Sequence, residues 1–227
     1  MKLIIFDLDQ TLVEVLAIHD ESACRLFMEF FSVCANFSDV EYAGRSMQDN
    51  FIQMGNRHGV DTTVINEKMP DLIAHYDRIF TDRIINDAAK YILPGVVPLL
   101  ENLAKTDSIV VLYTGDSRPV GESILKSTGL AKYFLKTFHA TEVQERADMI
   151  QQAINWAYDN KGIAFKGNNI VVIGDSIRDI ECGHYFHTRT ISVATGYYDI
   201  KRLAEEKPDY IFKNLEDYRA VIKAIFS

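Results

Sequence analysis

The chain has 227 residues, of which 48% are hydrophobic and 25% are charged, and its formal net charge at pH 7 is −8. This composition is typical of a soluble globular protein and excludes a disordered, fibrous or membrane-embedded one. Because lysine and arginine side chains must neutralise the phosphates of a nucleic acid, the acidic balance argues against a nucleic-acid partner.

The sequence shows neither a secretion signal nor a membrane segment. Only four apolar residues, Leu3 to Phe6, precede the first acidic residue, which is too few for a signal peptide. No uncharged apolar run approaches the ~18 residues that span a bilayer. The cysteines, Cys24, Cys34 and Cys182, are odd in number and lack the paired spacing of a zinc site. We therefore expect a cytoplasmic protein without membrane contact, whose cysteines are buried thiols.

The first predicted element is a buried strand that ends in two carboxylates. Residues 3–6 are an apolar run, and Asp7 and Asp9 follow it directly. Ligands of open α/β sheets bind at the carboxyl ends of the strands. Phosphoryl transfer needs a nucleophile, a cation and a proton donor, and the two carboxylates are suited to supply the first and third and to help with the second. The competing interpretation is that both residues only form a turn.

Residues 14–93 predict a helical insertion after this strand. The stretch contains no strand pattern, whereas amphipathic helical patterns recur at residues 23–34 and 72–80. The turn signal Pro94-Gly95 ends the insertion. We expect an all-helical cap domain over an α/β core.

A second apolar run, Ile109 to Tyr113, ends in Thr114, Gly115 and Asp116. A phosphate oxygen could accept hydrogen bonds from the Thr114 hydroxyl and from the backbone N–H groups that follow, since Gly115 allows a close approach. Taken alone, a Thr-Gly pair at a strand end indicates only a turn.

A third apolar run, residues 170–173, leads into Asp175 and, one helical turn later, Asp179. Mg²⁺ prefers oxygen ligands and takes one or two protein carboxylates, which makes Asp175 a candidate ligand. Asp179 is suited to hold the loop or orient a metal-bound water. The alternative for Asp175 is a helix N-cap.

The remaining patterns complete an α/β alternation. Residues 190–193 are a further strand candidate, residues 147–157 and 218–225 have helical periodicity, and Gly129 lies where a left-handed helix cap is expected. This alternation predicts a Rossmann-like three-layer core with a parallel sheet, formed by residues 1–13 and 94–227.

These motifs together resemble the haloacid dehalogenase-like hydrolase superfamily. Its members carry Asp-x-Asp-x-Thr after the first strand, Ser or Thr after a second, then Lys or Arg, and Gly-Asp-x-x-x-Asp after a later strand. The matching positions are residues 7–11, 114 and 174–179, with the insertion at 14–93 resembling a helical, C1-type cap. Segments 194–197 and 208–212 resemble the tail of phosphoglycolate-phosphatase-like members.

The resemblance implies a role for each matching residue. Asp7 would attack phosphorus to form an aspartyl-phosphate, and Asp9 would protonate the leaving alcohol and then activate water. Mg²⁺ would be held by the Asp7 carboxylate, the Asp9 backbone carbonyl and Asp175. Thr114 and the Gly115 N–H would hold the phosphate.

The sequence departs from the family pattern in two places. Gln10 occupies the usual glycine position, where its side chain would contact substrate or narrow what fits. The basic residue has no clear motif. Our first choice for this residue is Arg146, which opens a predicted helix and could pair with Asp7 and phosphate. The alternative is that Arg146 is only a solvated helix residue. Lys136 is the fallback for the basic residue.

Three other polar residues have weaker signals. His184 and His187 are three residues apart, but no further zinc ligands lie nearby, which favours surface positions. Arg45 follows Gly44 within the predicted cap, so it either faces substrate or is solvated.

We therefore expect a Mg²⁺-dependent phosphatase, monomeric or homodimeric, that acts on a small phosphorylated metabolite. One alternative is a sugar phosphomutase of the same superfamily; a dehalogenase is disfavoured, because a halide leaving group needs no acid such as Asp9. The other alternative is a non-catalytic binding or regulatory protein, motivated by Gln10 and the uncertain basic residue.

Overall fold

The computed structural model describes residues 1–84, 88–143 and 145–227. Within these ranges the chain forms six β-strands and nine α-helices. The strands are β1 (Leu3–Phe6), β2 (Ile109–Thr114), β3 (Thr137–His139), β4 (Ile170–Gly174), β5 (Arg189–Val193) and β6 (Tyr210–Phe212). The helices are α1 (Leu16–Phe31), α2 (Met47–Arg57), α3 (Thr62–Arg83), α4 (Val96–Leu103), α5 (Arg118–Thr128), α6 (Arg146–Lys161), α7 (Ile177–Tyr185), α8 (Ile200–Glu205) and α9 (Tyr218–Phe226).

The strands form one parallel sheet in the order β3-β2-β1-β4-β5-β6. In the register, Phe6 of β1 lies opposite Leu112 of β2 and Ile173 of β4. The carboxyl ends of these three central strands therefore lie at the same edge, and the residues that follow them meet there. This arrangement confirms the predicted Rossmann-like α/β fold.

The central strand β1 is buried on both faces. Ile4 and Phe6 pack into an apolar cluster with α4, α5 and α9, whereas Leu3 and Ile5 pack into another with α6. Because successive strand side chains point to opposite faces, helices must cover both sides of the sheet. Each fully buried side chain of this size contributes roughly 1.5–3 kcal/mol, which makes this three-layer packing the main source of core stability.

The segment between β1 and β2 is helical, as its amphipathic patterns predict. It contains α1, α2 and α3 and no strand within residues 14–84 and 88–93, while residues 85–87 of the predicted cap lie outside the described residues. Helix α1 ends earlier than its pattern suggests, because Ser32 adopts a left-handed conformation and its N–H bonds to Met28 O. Gly129 caps α5 in the left-handed conformation, as predicted.

The chain reversal after α1 has a consequence for the cysteines. Cys24 of α1 and Cys34, which follows the helix, form a disulfide with Cα atoms 4.3 Å apart. The expectation of buried thiols is therefore wrong for this pair, because sequence spacing does not reveal that the chain folds back on the helix. Cys182 is a free, buried thiol, as expected.

Membrane crossing requires a helix that is both long and apolar. Helix α3 has 22 residues but is amphipathic, with charged residues along its length. None of the helices within the described ranges combines the length and the apolar character needed to cross a membrane.

Two short strands, β3 and β6, were not predicted from the sequence. Each has three residues and lies at an edge of the sheet. Three residues are too few to establish a strand pattern against the surrounding loops.

The edge strand β3 contains a buried histidine. His139 has no exposed surface, and burial, assisted by Arg118, lowers its pKa to about 4. A histidine in an unfolded chain has a pKa of about 6.5. Between these values the unfolded chain binds a proton that the folded chain does not, so the contribution of His139 to stability is complete above about pH 6.5 and is lost as the pH falls.

We expect His139 alone to lower the free energy of unfolding by about 3 kcal/mol between about pH 7 and pH 4. Urea unfolding across this range measures the effect. The matched variant His139→Gln keeps a polar group near Thr137 Oγ1, which lies 3.1 Å from His139 Nε2, but does not titrate. The variant should show a correspondingly shallower pH dependence; equal slopes for the two proteins would contradict this assignment.

Candidate active site

A cavity of about 70 Å³ opens at the carboxyl edge of the sheet. Asp7 and Asp9, which follow β1, line it together with Thr114 at the end of β2 and Asp175 after β4. The register of the three central strands therefore places these residues around one space. Arg146, at the start of α6, also lines the cavity.

Arg146 forms a direct ion pair with Asp7. Its Nη2 atom lies 2.7 Å from Asp7 Oδ1 and 2.7 Å from Asp179 Oδ1, and all three side chains are at least nine-tenths buried. Its guanidinium also lies 4.5 Å from the centre of the Tyr113 ring. Lys136, the fallback, precedes β3 and does not line this cavity in the described part of the chain.

Asp179 holds Arg146 and the loop before α7. Its Oδ1 atom also accepts from the Tyr113 hydroxyl, while Oδ2 accepts from the backbone N–H of Ser176 at 2.9 Å and from its hydroxyl at 2.7 Å. Ser176 is the N-cap of α7, so Asp175 is not needed for that role. Both oxygens of Asp179 are occupied by these donors, whereas Asp175 lines the cavity.

The donor set fits a hard divalent cation. Asp7, Asp175 and Asp179 each place a carboxylate oxygen within 4.8 Å of the others, and all three are buried. A Cβ atom at Gly196 would lie 1.7 Å from Asp175 Oδ2, so only glycine lets this segment pass the carboxylate. Because Asp179 is already saturated with donors, Asp7 and Asp175 are the residues that could hold the cation.

The electrostatics of these carboxylates indicate the same chemistry. Burial raises the pKa of Asp7 to about 8, although the Arg146 guanidinium acts to lower it. Burial, followed by the negative charge of Asp7, holds the pKa of Asp175 well above its usual range. For Asp179, burial acts to raise the pKa, but Arg146, Tyr113 and Ser176 outweigh it, and the pKa is lowered. A cation between Asp7 and Asp175 would relieve the repulsion between buried charges.

Asp9 lies against two residues that sequence reasoning missed. Its Oδ1 atom is 3.5 Å from Nε2 of His19, in α1, and a carboxylate oxygen of Asp116 lies within 4.8 Å of a carboxylate oxygen of Asp9. Burial acts to raise the pKa of Asp9, but its contacts with His19 and Asp116 outweigh burial and lower it. Burial and the charge of Asp9 hold the pKa of Asp116 well above its usual range.

Thr114 and Gly115 lie where the helical insertion meets the core. Thr114 is buried, and its hydroxyl accepts from the Asp116 N–H at 3.2 Å. The Gly115 carbonyl accepts from the Met47 N–H of α2 at 3.2 Å. A Cβ atom at Gly115 would lie 2.3 Å from the Arg45 carbonyl oxygen, so glycine is required for this close approach.

Gln10 has a left-handed backbone, with φ of 60°. This region favours glycine, which explains the glycine of the family motif and implies local strain for glutamine. The Gln10 side chain lines the cavity and donates to Glu14 Oε1 at 3.0 Å. Its position therefore narrows the cavity near the Asp9 loop.

The helical insertion also contributes residues to the cavity lining, with Asn50 as a further polar residue that the sequence did not reveal. Arg45 also lines the cavity, but its Nε donates to the Glu41 carbonyl at 2.7 Å and its Nη2 lies 3.3 Å from the Glu41 carboxylate. His184 and His187 are exposed, as expected.

Comparison with known proteins identifies the family. The haloacid dehalogenase-like hydrolase family model matches residues 4–193, and the chain belongs to this family. The predicted likeness to its phosphoglycolate-phosphatase-like members is also confirmed. The chain is 22% identical to a phosphoglycolate phosphatase of Vibrio parahaemolyticus, covering 98% of this chain and 96% of the relative. It is also 22% identical to the pyrophosphatase PpaX of Oceanobacillus iheyensis, covering 100% and 99%.

Solved structures support the fold. A predicted phosphoglycolate phosphatase from Haemophilus somnus 129pt has a TM-score of 0.78 at 20% identity and covers 98% of both chains. A β-phosphoglucomutase from Clostridium difficile has a TM-score of 0.76 at 14% identity and covers 100% of this chain and 97% of its own. Enzymes with different named reactions therefore share this fold, and the activity must be argued from the site.

Proposed function

We propose that the protein is a Mg²⁺-dependent phosphatase that hydrolyses a small phosphomonoester through an aspartyl-phosphate on Asp7. The observation that carries the proposal is the pairing of Asp7 with Arg146 at 2.7 Å, in the cavity that Thr114 and Asp175 also line. A nucleophile, a fixed positive charge, a hydroxyl donor and a second carboxylate thus surround one space.

The first step is attack of an Asp7 carboxylate oxygen on phosphorus. Arg146 orients the carboxylate and offers positive charge to the phosphoryl oxygens, while the Thr114 hydroxyl donates a hydrogen bond to them. Mg²⁺, held by Asp7, the Asp9 backbone carbonyl and Asp175, would neutralise charge on the phosphoryl group. Asp179 acts indirectly, because its contacts with Arg146 and Ser176 hold the guanidinium and the Asp175 loop in place.

Asp9 serves as the general acid and then as the general base. It gives a proton to the departing alcohol oxygen, and it takes a proton from the water that attacks the aspartyl-phosphate. The lowered pKa of Asp9 favours the carboxylate, which suits the second step. The first step starts from protonated Asp9, which regains its proton from the attacking water at the end of each turnover.

We propose that residues 14–93 act as a cap over a core of residues 1–13 and 94–227. Leu16, Phe37 and Met47 from this segment line the same cavity as the carboxylates. Closure of such a wall excludes water and selects the leaving group by size.

We place the reaction on a small phosphorylated metabolite in the cytoplasm. The names of the relatives make 2-phosphoglycolate and pyrophosphate the first compounds to test. The Cys24–Cys34 disulfide lies outside the cavity, and the proposed chemistry does not require it.

A phosphate-release assay tests the function. Purified protein is incubated with a panel containing 2-phosphoglycolate, pyrophosphate, hexose phosphates and p-nitrophenyl phosphate, with Mg²⁺ or with EDTA. We expect Mg²⁺-dependent release of inorganic phosphate from at least one member. Isomerised hexose phosphate without phosphate release would instead identify a mutase, and binding without turnover across the panel would identify a non-catalytic protein.

A further inference from the structure

Three side chains beside the proposed catalytic centre each bring one unpaired polar atom to a common point. Asp9 Oδ1, His19 Nε2 and one oxygen of Asp116, Oδ2, are inaccessible to solvent and have no hydrogen-bonding partner among the described residues. His19 is 6% exposed and Asp116 is 7% exposed. Unpaired polar atoms in such positions are costly unless a bound ligand or ion satisfies them.

The geometry matches a metal site. Asp9, His19 and Asp116 each place one ligand atom within 4.8 Å of the others. The distance of 3.5 Å between Asp9 Oδ1 and His19 Nε2 is long for a hydrogen bond. It is close to the separation of about 3.4 Å between two ligands of a tetrahedral cation with bonds of about 2.1 Å.

The surroundings of His19 favour ligation through Nε2. A cation at Nε2 requires the proton to be on Nδ1, and Nδ1 lies 2.6 Å from the hydroxyl oxygen of the buried Tyr76, which can accept it. Phe37 and Phe80 pack against the imidazole ring, with centroids 5.4 Å and 4.5 Å away. Such a fixed outer partner is typical of metal-bound histidines.

The donor types select the cation. One imidazole nitrogen and two carboxylates suit Zn²⁺, whereas Mg²⁺ prefers oxygen ligands alone. The two carboxylates would also balance the charge of a divalent cation, which removes the repulsion between them. The site differs from the Asp7–Asp175 pair, where all donors are oxygen.

We propose that Asp9, His19 and Asp116 form a second cation site, selective for Zn²⁺ over Mg²⁺, that joins the helical insertion to the sheet edge. His19 belongs to α1, while Asp9 and Asp116 follow β1 and β2. Zn²⁺ bound there engages the Asp9 carboxylate and withdraws it from proton transfer, so Zn²⁺ inhibits the enzyme. The Zn²⁺ site does not depend on the proposed phosphatase function, whereas the inhibition by Zn²⁺ rests on that function.

Calorimetric titration with Zn²⁺ in saturating Mg²⁺ tests the site without requiring turnover. We expect one Zn²⁺ per chain, with an affinity at least about 10- to 100-fold lower in His19→Gln and in Asp116→Asn. The double variant His184→Gln/His187→Gln, which alters two exposed histidines, should bind like the unaltered protein. Circular dichroism checks that each variant is folded. If His19→Gln does not fold, the Zn²⁺ affinity of Asp116→Asn alone tests the site.

Two outcomes would overturn the site. If both site variants bound Zn²⁺ as tightly as the unaltered protein, the ion would lie elsewhere, at the Asp7–Asp175 pair or on the surface. Absence of binding to the unaltered protein would leave only an ion pair between His19 and Asp9. If Zn²⁺ binds as proposed but no phosphate release is found with any substrate, the proposed function fails and the cation site stands.

Discussion

The Asp7→Asn variant should lose Mg²⁺-dependent phosphate release by a factor on the order of 10⁴ or more, because the amide cannot form the aspartyl-phosphate. The fold should survive the change. Asparagine has nearly the same shape as aspartate, and burial already disfavours the charged carboxylate at this position. Arg146 keeps its contacts with Asp179. Activity is measured with p-nitrophenyl phosphate and folding by circular dichroism.

A matched control is Asp107→Asn, which makes the same chemical change at an exposed position and should keep full activity. Acid quenching with labelled substrate adds an independent readout. The unaltered enzyme should carry the labelled phosphoryl group after quenching. Hydroxylamine should release this group, as expected of an acyl phosphate, and Asp7→Asn should carry no label. Substantial hydrolysis by Asp7→Asn would mean that the nucleophile is misassigned.

The central part of the fold was predictable because fully buried parallel strands are continuous apolar runs. Strands β1, β2 and β4 all have such runs, whereas β5 is buried but alternates polar and apolar residues. Since the first three are neighbours with aligned carboxyl ends, polar residues directly after each run could be expected to meet. Asp7, Thr114 and Asp175 were found by this argument, and all three line one cavity.

Long-range contacts were harder to predict. Arg146 lies 139 positions from Asp7, and its choice over Lys136 depends on where α6 begins relative to β1. The strain at Gln10 could not be predicted either. A glycine at this position in the family motif does not by itself indicate a left-handed backbone, which is known only from the φ angle of Gln10. Short-range patterns contain neither kind of information.

His19 carried a signal that was overlooked. It precedes Ala23 by one helical turn and Leu26 by two, so it lies on the buried face of α1. A histidine on an otherwise apolar face needs a buried polar partner. Its partner Tyr76 and its neighbour Asp9 could not be named from the sequence, because both depend on how α1 packs against the sheet edge and α3.

The second large effect is expected at Arg146. Its guanidinium contacts Asp7 and Asp179 through Nη2 and Asp179 through Nε, and it covers the Tyr113 ring. Removal of its charge in Arg146→Met leaves the buried carboxylates of Asp7 and Asp179 without their positive partner. We expect kcat to fall by about 10³-fold and the free energy of unfolding to fall by about 3–5 kcal/mol. Phosphate release and urea unfolding measure the two effects.

Two further variants separate charge, geometry and folding at this position. Arg146→Lys keeps the charge but cannot reproduce the planar contacts, so we expect a folded protein with kcat about 10²-fold lower. Lys136→Met makes the matched change at the rival residue, which does not line the cavity, and should leave kcat unchanged. If Lys136→Met lost activity while folded Arg146→Met kept it, the phosphate-binding charge would belong to Lys136, and the pairing of Arg146 with Asp7 would be structural only.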